Sequence, residues 1–282
     1  MENVIIPNPS LLNSKIETIR NDGTENLHIV SDFDQTLTKA FVQGKKTNSS
    51  FAQIRGKGYL DPEYAEISYK LYDYYHPIEI SSKISKEEKN IKMQEWWIKH
   101  LELMIKYGMN LDILKDIAVN CDIYPRESML KMLDYLSKKE IPILIFSAGL
   151  GDVITQFLNS NSKLSSNLHI ISNFYQFNDD GKVVGYKSSV IHPYNKNEYA
   201  IKNTSYYNEV KHRKNVILLG DSLGDVNMAE GLSHSVIIKI GFLNENVDEM
   251  LDIFKNEFDI ILLNDQSMDY ILNLLYNLFN KN

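Results

Sequence analysis

The chain has a single cysteine, Cys121, so no disulfide can form within it and no cysteine cluster is available to hold a metal. That fits a reducing compartment, and Cys121 itself is expected to be a small buried hydrophobe. No apolar run is long enough to cross a membrane, and the opening Met-Glu-Asn-Val-Ile-Ile-Pro lacks the charged start and long apolar segment of a leader. Positive charge is also short: 30 Lys and Arg face 37 Asp and Glu, a net charge of −7 with a pI near 5.5. This balance argues against a surface for long nucleic acid and confines any phosphate recognition to a local site. Repeats and low-complexity linkers are absent. A cytoplasmic monomer without a membrane partner is the expectation.

What the chain does have is 282 residues with 43% hydrophobic content, enough for one sizeable core and a smaller accessory domain. Its most informative stretch is Leu27-His28-Ile29-Val30-Ser31-Asp32-Phe33-Asp34-Gln35-Thr36-Leu37-Thr38. Asp32 and Asp34 end a β-branched apolar run of the kind that forms a buried parallel strand, whose carboxyl end is where open α/β sheets place their sites. Like charges this close persist only if a metal or a shared proton neutralises them.

Two further strand-like runs end in compatible chemistry. Ile143-Leu144-Ile145-Phe146 runs into Ser147-Ala148-Gly149-Leu150-Gly151-Asp152, a small-residue turn whose hydroxyl and N–H groups suit a phosphate. Val216-Ile217-Leu218-Leu219 runs into Gly220-Asp221-Ser222-Leu223-Gly224-Asp225, again acidic at the strand tip.

Between these runs, the segment from Gly44 to Tyr124 shows helical periodicity and no convincing strand. Within it, Ser85-Lys86-Glu87-Glu88 followed by Met93, Trp96, Trp97, Leu101, Met104 and Tyr107 predicts one long capped helix. The pattern predicts an α/β core of residues 1–44 and 125–282, interrupted by a helical cap of residues 45–124. Further strands are expected at 168–171, 236–240 and 260–263, a hairpin at 177–186, and a terminal helix through Tyr270, Leu274, Leu275 and Phe279 that packs on its own sheet.

Asp-Phe-Asp-Gln-Thr-Leu-Thr, Phe-Ser-Ala-Gly and Gly-Asp-Ser-Leu-Gly-Asp, in this order, resemble the first, second and fourth motifs of the haloacid dehalogenase superfamily of phosphohydrolases. The resemblance implies a Rossmann-like parallel sheet and an aspartyl-phosphate mechanism. Asp32 is then the nucleophile, and Asp34 the acid that protonates the leaving alkoxide and later the base that activates water. Mg²⁺ is the implied cofactor, held by the Asp32 side chain, the Asp34 carbonyl and Asp221. Asp225, beside Ser222 in a supporting role, either ligates through water or orients Lys196. In His192-Pro193-Tyr194-Asn195-Lys196-Asn197, Lys196 matches the superfamily lysine, and Ser147 with the N–H groups of Ala148 and Gly149 completes the phosphate cradle.

Over nearly the whole length the chain is similar to the cytosolic 5′-nucleotidase III family, through stretches such as Ile145–Asp152, Ile217–Ser222 and Lys239–Asn244. That resemblance implies a nucleoside 5′-monophosphate substrate, with Glu79 reading the base and Trp97 stacking on it. Trp97 points to the branch that takes 7-methylguanosine monophosphate as well as CMP. Trp96, about a hundred degrees away round the helix, is expected in the core. Phe51 falls where the pyrimidine branch of the family looks to carry a histidine, and two such large aromatics, Phe51 and Trp97, could sandwich a base. A methylated guanine is cationic and gains cation–π attraction there, while a carboxylate accepts from its N1–H and amine. The alternatives are a pyrimidine-specific nucleotidase, a phosphoserine-phosphatase-like enzyme and a non-catalytic nucleotide-binding protein.

Overall fold

The computed structural model describes every residue except 1, 2, 82, 162, 188, 198–200, 203, 281 and 282. Among the described residues ten strands are formed: β1 (Val4–Ile5), β2 (Leu27–Ser31), β3 (Phe41–Val42), β4 (Lys45–Lys46), β5 (Ile143–Leu150), β6 (Leu168–Phe177), β7 (Val183–Lys187), β8 (Asn215–Gly220), β9 (Val236–Leu243) and β10 (Ile260–Leu263). Eight of them make one sheet in the order β1-β10-β9-β8-β2-β5-β6-β7. The six inner strands are parallel, and the edge strands β1 and β7 run antiparallel to their neighbours. Chain order turns back at β2, which sits between β8 and β5, so the crevice at the switch point opens beside the end of the Asp32 strand.

Alternate residues of the central strands feed opposite faces. Val30, Leu144, Phe146, Val216 and Leu218 pack with Tyr206 and Met228, whereas Ile29, Ile143, Ile145, Ile217 and Leu219 join the larger cluster on the other side. Burial on both faces is why these strands read as continuous apolar runs.

The helices are α1 (Pro9–Asp22), α2 (Ser50–Gly56), α3 (Pro62–Ile80), α4 (Lys86–Lys106), α5 (Leu111–Asn120), α6 (Met129–Lys138), α7 (Gly151–Ser160), α8 (Ser205–Val210), α9 (Val247–Glu257) and α10 (Asp269–Phe279). Five of them, α2 to α6, lie between β4 and β5, and α2 to α5 fall before Tyr124. The Ser85 hydroxyl caps α4 by accepting from the Glu88 N–H at 3.1 Å. Trp96 is buried against Tyr75, the rings stacked at 5.7 Å and 11°. Cys121 is buried beside the Tyr59 hydroxyl at 3.2 Å. Helix α10 buries Ile271, Leu274 and Leu275 in the main core and touches α1 and α6. No helix among the described residues is long and apolar enough to cross a membrane.

Three expectations change. The segment from Gly44 is not free of strand: β4 pairs with β3 across Gln43 and Gly44, both at positive φ, a two-residue reversal that suits a ribbon turn. The strand at 168–171 and the first arm of the hairpin are one ten-residue strand, β6. The apolar pattern breaks at Ser172 and Asn173 because their side chains bond the neighbouring strand end, not because the strand stops. The small-residue turn after Phe146 is no turn either, since β5 runs to Leu150 with a register irregularity and passes straight into α7.

Candidate active site

Three strand ends meet at the switch point. The Asp32 N–H bonds the Leu219 carbonyl at 3.0 Å, which seats the first aspartate against the end of β8. One oxygen each from Asp32, Asp221 and Asp225 lie within 4.8 Å of one another. Lys196 places its buried ammonium between Asp32 and Asp225, 2.6 Å from an oxygen of each. A turn in which Asn195 accepts from the His192 N–H and donates to the Val190 carbonyl delivers that lysine. The second Asp225 oxygen accepts from the Ser222 hydroxyl at 2.8 Å and from the backbone N–H groups of Ser222 and Asp221. A side chain on Gly220 would meet the Asp225 Cβ at 2.5 Å, so only glycine lets this carboxylate fold back over the strand end.

Opposite them, the β5 end forms a small-residue shelf. The Ser147 hydroxyl accepts from the Gly149 N–H at 3.0 Å. An added Cβ on Gly149 would come within 3.1 Å of the Ser147 and Ser50 hydroxyls and 3.3 Å of an Asp34 oxygen, so these three groups converge on one bare backbone position. The Ser50 backbone at the start of α2 lies beside the Asp34 carboxylate and favours its ionised form.

Four carboxylates against one ammonium leave the pocket strongly acidic. Burial raises Asp32 to about 6, against the pull of Lys196, and raises Asp34 to about 7 with help from the Asp32 charge. Burial, Asp225 and Asp32 push Asp221 well above the usual carboxylate range. Burial opposes the Lys196 charge, but Asp225 and Asp32 overcome it and hold its pKa above the ordinary lysine value. Such a set can take up a hard divalent cation, and it can keep a proton on one carboxyl near neutral pH.

Next to this centre, α2, α3 and α4 enclose a cavity of about 250 Å³ lined by Phe51, Arg55, Tyr72, Glu79, Trp97 and His100, among others. Trp97 joins the two compartments, its indole N–H donating to the Ala148 carbonyl at 2.8 Å. Glu79 is half-buried, and burial raises it to about 7 although Lys89 opposes the shift. The Tyr194 hydroxyl donates to the Glu79 carbonyl at 2.8 Å, tying that helix end to the lysine turn. Phe51 and Trp97 do not form parallel walls. Their rings meet edge to face at 6.1 Å and 79°, because Trp97 is held by Ala148 while Phe51 leans on His100 at 5.0 Å. The two rings therefore leave no parallel slot between them for a planar ring, contrary to the expected sandwich.

Several contributors were not singled out from the sequence. The Thr36 hydroxyl donates to Asp221 at 3.1 Å. Asn173 donates to the carbonyls of Ala148, Gly149 and Ile191. Arg126, almost fully buried, bonds the carbonyls of Gln35, Thr36 and Gln266 and the carboxylate of Asp265. Neither Asn173 nor Arg126 carried a local signal, since Asn173 follows Ser172 and Arg126 precedes Glu127 and Ser128, so each reads as part of a polar stretch.

Residues 35–279 match the family described as pyrimidine 5′-nucleotidase (UMPH-1). A 7-methylguanosine phosphate-specific 5′-nucleotidase A of Xenopus laevis is 36% identical over 282 residues, covering 100% of this chain and 97% of that protein. The human 7-methylguanosine phosphate-specific 5′-nucleotidase is 33% identical over 276 residues, covering 98% of this chain and 92% of that one. Among solved structures, cytosolic 5′-nucleotidase IIIB bound to cytidine superposes with a TM-score of 0.88 at 33% identity, covering 99% of this chain and 94% of the other.

Proposed function

Since the chain belongs to the pyrimidine 5′-nucleotidase family and is a phosphoric monoester hydrolase of haloacid dehalogenase fold, we propose that it releases the 5′-phosphate of 7-methylguanosine monophosphate, and also of CMP, through an aspartyl-phosphate. The observation that carries this reading is the Trp97 bridge, which sets a base-sized cavity directly against the Ser147–Gly149 shelf and the acidic centre.

In the first step an Asp32 oxygen bonds phosphorus and the bond from phosphorus to the ribose oxygen breaks, with the leaving oxygen taking a proton from Asp34. A carboxyl raised to about 7 suits that donor. In the second step Asp34 accepts a proton from water as the new hydroxide displaces Asp32 and frees phosphate. Lys196, steadied by Asp225, faces the phosphoryl oxygens, and Ser147 with the Ala148 and Gly149 N–H groups binds the others. The oxygen cluster of Asp32, Asp221 and Asp225 fits a hard ion such as Mg²⁺, which in this reading Asp32, Asp221 and the Asp34 carbonyl would hold while Asp225 positions Lys196. Bound there, the ion would supply Lewis-acid neutralisation of carboxylate and phosphate charge. Residues 45–124 act in this reading as a cap that carries Phe51, Glu79 and Trp97 over the core.

Phosphate release from a panel of 7-methylguanosine monophosphate, CMP and UMP tests the assignment. The expected order of kcat/KM follows that sequence, with release abolished by EDTA and restored by Mg²⁺. A preference for UMP and CMP over the methylated substrate would support the second reading, a pyrimidine-specific nucleotidase, which the family's description favours.

Glu79 gives a separate check. Its carboxylate accepts from the base amine only when ionised, so KM for CMP is expected to fall as pH rises through about 7, the value to which burial lifts this group. Glu79→Gln, with no charge to gain, should lose that part of the pH dependence. A variant and wild type with parallel KM profiles would remove Glu79 from base recognition.

A further inference from the structure

The base cavity contains a cation that the proposed mechanism leaves unused. Arg55 sits on α2 one turn after Phe51, a spacing that puts both on one helix face. Its guanidinium carbon lies 4.4 Å from the centre of the Tyr72 ring and 5.1 Å from that of Tyr69, so among the described residues the charge rests against aromatic faces and not a carboxylate. Arg55 and Tyr72 both line the cavity. Its field reaches two lining histidines. Burial, then Lys46, then Arg55 lower His76, while burial followed by Arg55 lowers His100 to about 3. With both imidazoles neutral, the charged side chains of the lining are Arg55 and Glu79.

We infer that Arg55 is a specificity-determining residue of this cavity, whose positive charge holds back a cationic 7-methylguanine relative to neutral bases such as cytosine. The inference rests on the base-binding role assigned to the cavity above. Cytosine presents its donating amine and its accepting carbonyl at opposite ends of one edge, where a carboxylate suits the first and a guanidinium the second. A methylated guanine satisfies Glu79 but brings a second positive charge into the neighbourhood of Arg55. Unit charges about 6 Å apart at an effective dielectric of about 40 disfavour their approach by roughly tenfold in binding. Arg55 thus pulls against the aromatic surface, and selectivity is the balance between cation–π attraction to Trp97 and repulsion by the guanidinium.

The test is the ratio of kcat/KM for 7-methylguanosine monophosphate to that for CMP, in wild type, Arg55→Gln and Arg55→Lys, each checked by thermal melting. Gln removes the charge and should raise the ratio about tenfold, while Lys retains it and should stay within about twofold of wild type. General damage to the cavity would lower both activities together and leave the ratio alone. An unchanged ratio in the Gln variant, or an equal rise in both variants, overturns the role of the charge. A wild-type protein that hydrolyses neither nucleotide overturns the nucleotidase reading first, and this inference with it.

Discussion

Asp32→Asn is expected to reduce phosphate release from CMP and 7-methylguanosine monophosphate by at least about 10⁴-fold, because an amide cannot form the acyl-phosphate and nothing else in the pocket is placed to replace it. The fold should survive. Lys196 keeps its 2.6 Å contact with Asp225, and the substitution removes a carboxylate whose ionisation is opposed by burial. The sign follows from linkage: a pKa lifted from 3.8 to about 6 on folding means that ionised Asp32 costs stability at neutral pH. In metal-free buffer at pH 7 the Asn protein should therefore melt no lower than wild type. Stopped or quenched assays with Mg²⁺ present read the first effect and calorimetry the second. Equal, slow phosphate release from both proteins would mean that the chain binds nucleotides without turning them over.

Arg126→Met is expected to lower stability by about 3 to 5 kcal/mol, the range for stripping one partner from a buried, hydrogen-bonded charge. Three backbone carbonyls and Asp265 converge on this guanidinium, which also lies over the Phe242 ring at 4.2 Å. Gln35 and Asp265, both in contact with it, hold positive φ without being glycine, a conformation that persists where the surroundings impose it. Loss of the arginine therefore loosens the turn that follows Asp34 and, through the Thr36 hydroxyl, the hold on Asp221. Arg126→Lys should recover only part, since one ammonium cannot span the fork of acceptors. Denaturant titrations of the three proteins give the comparison; a midpoint unchanged in the Met variant would contradict this account of the network.

The parallel core was legible because its strands are buried on both faces and end in acidic or small residues, which together mark a switch-point sheet. Asp32 and Asp221 could be read from those ends, and the structure brings their oxygens together with Asp225, while Ser147 lies on the neighbouring strand near Asp34. The long helix carrying Trp97 was legible from its cap and periodicity. What was not legible has a common cause: contacts between residues far apart in the chain leave no local period. Thr36 reaches Asp221 and Asn173 reaches Ala148 across distances in sequence that no spacing rule spans. The strand through Ser172 and Asn173 was split for the same reason, because a polar pair that serves a neighbouring strand looks locally like a break. Phe51 and Trp97 were placed in one cavity, yet their mutual angle depends on Ala148 and His100, which no single helix pattern contains.

Trp97 touches the shelf carbonyl with its indole nitrogen and lines the neighbouring cavity with its ring, so one rigid side chain spans the two compartments. Under the proposed function, a nucleotide whose ring system tilts that indole would also disturb the backbone of the shelf. Discrimination between substrates would then register in the speed of bond cleavage and not only in how tightly each one is held.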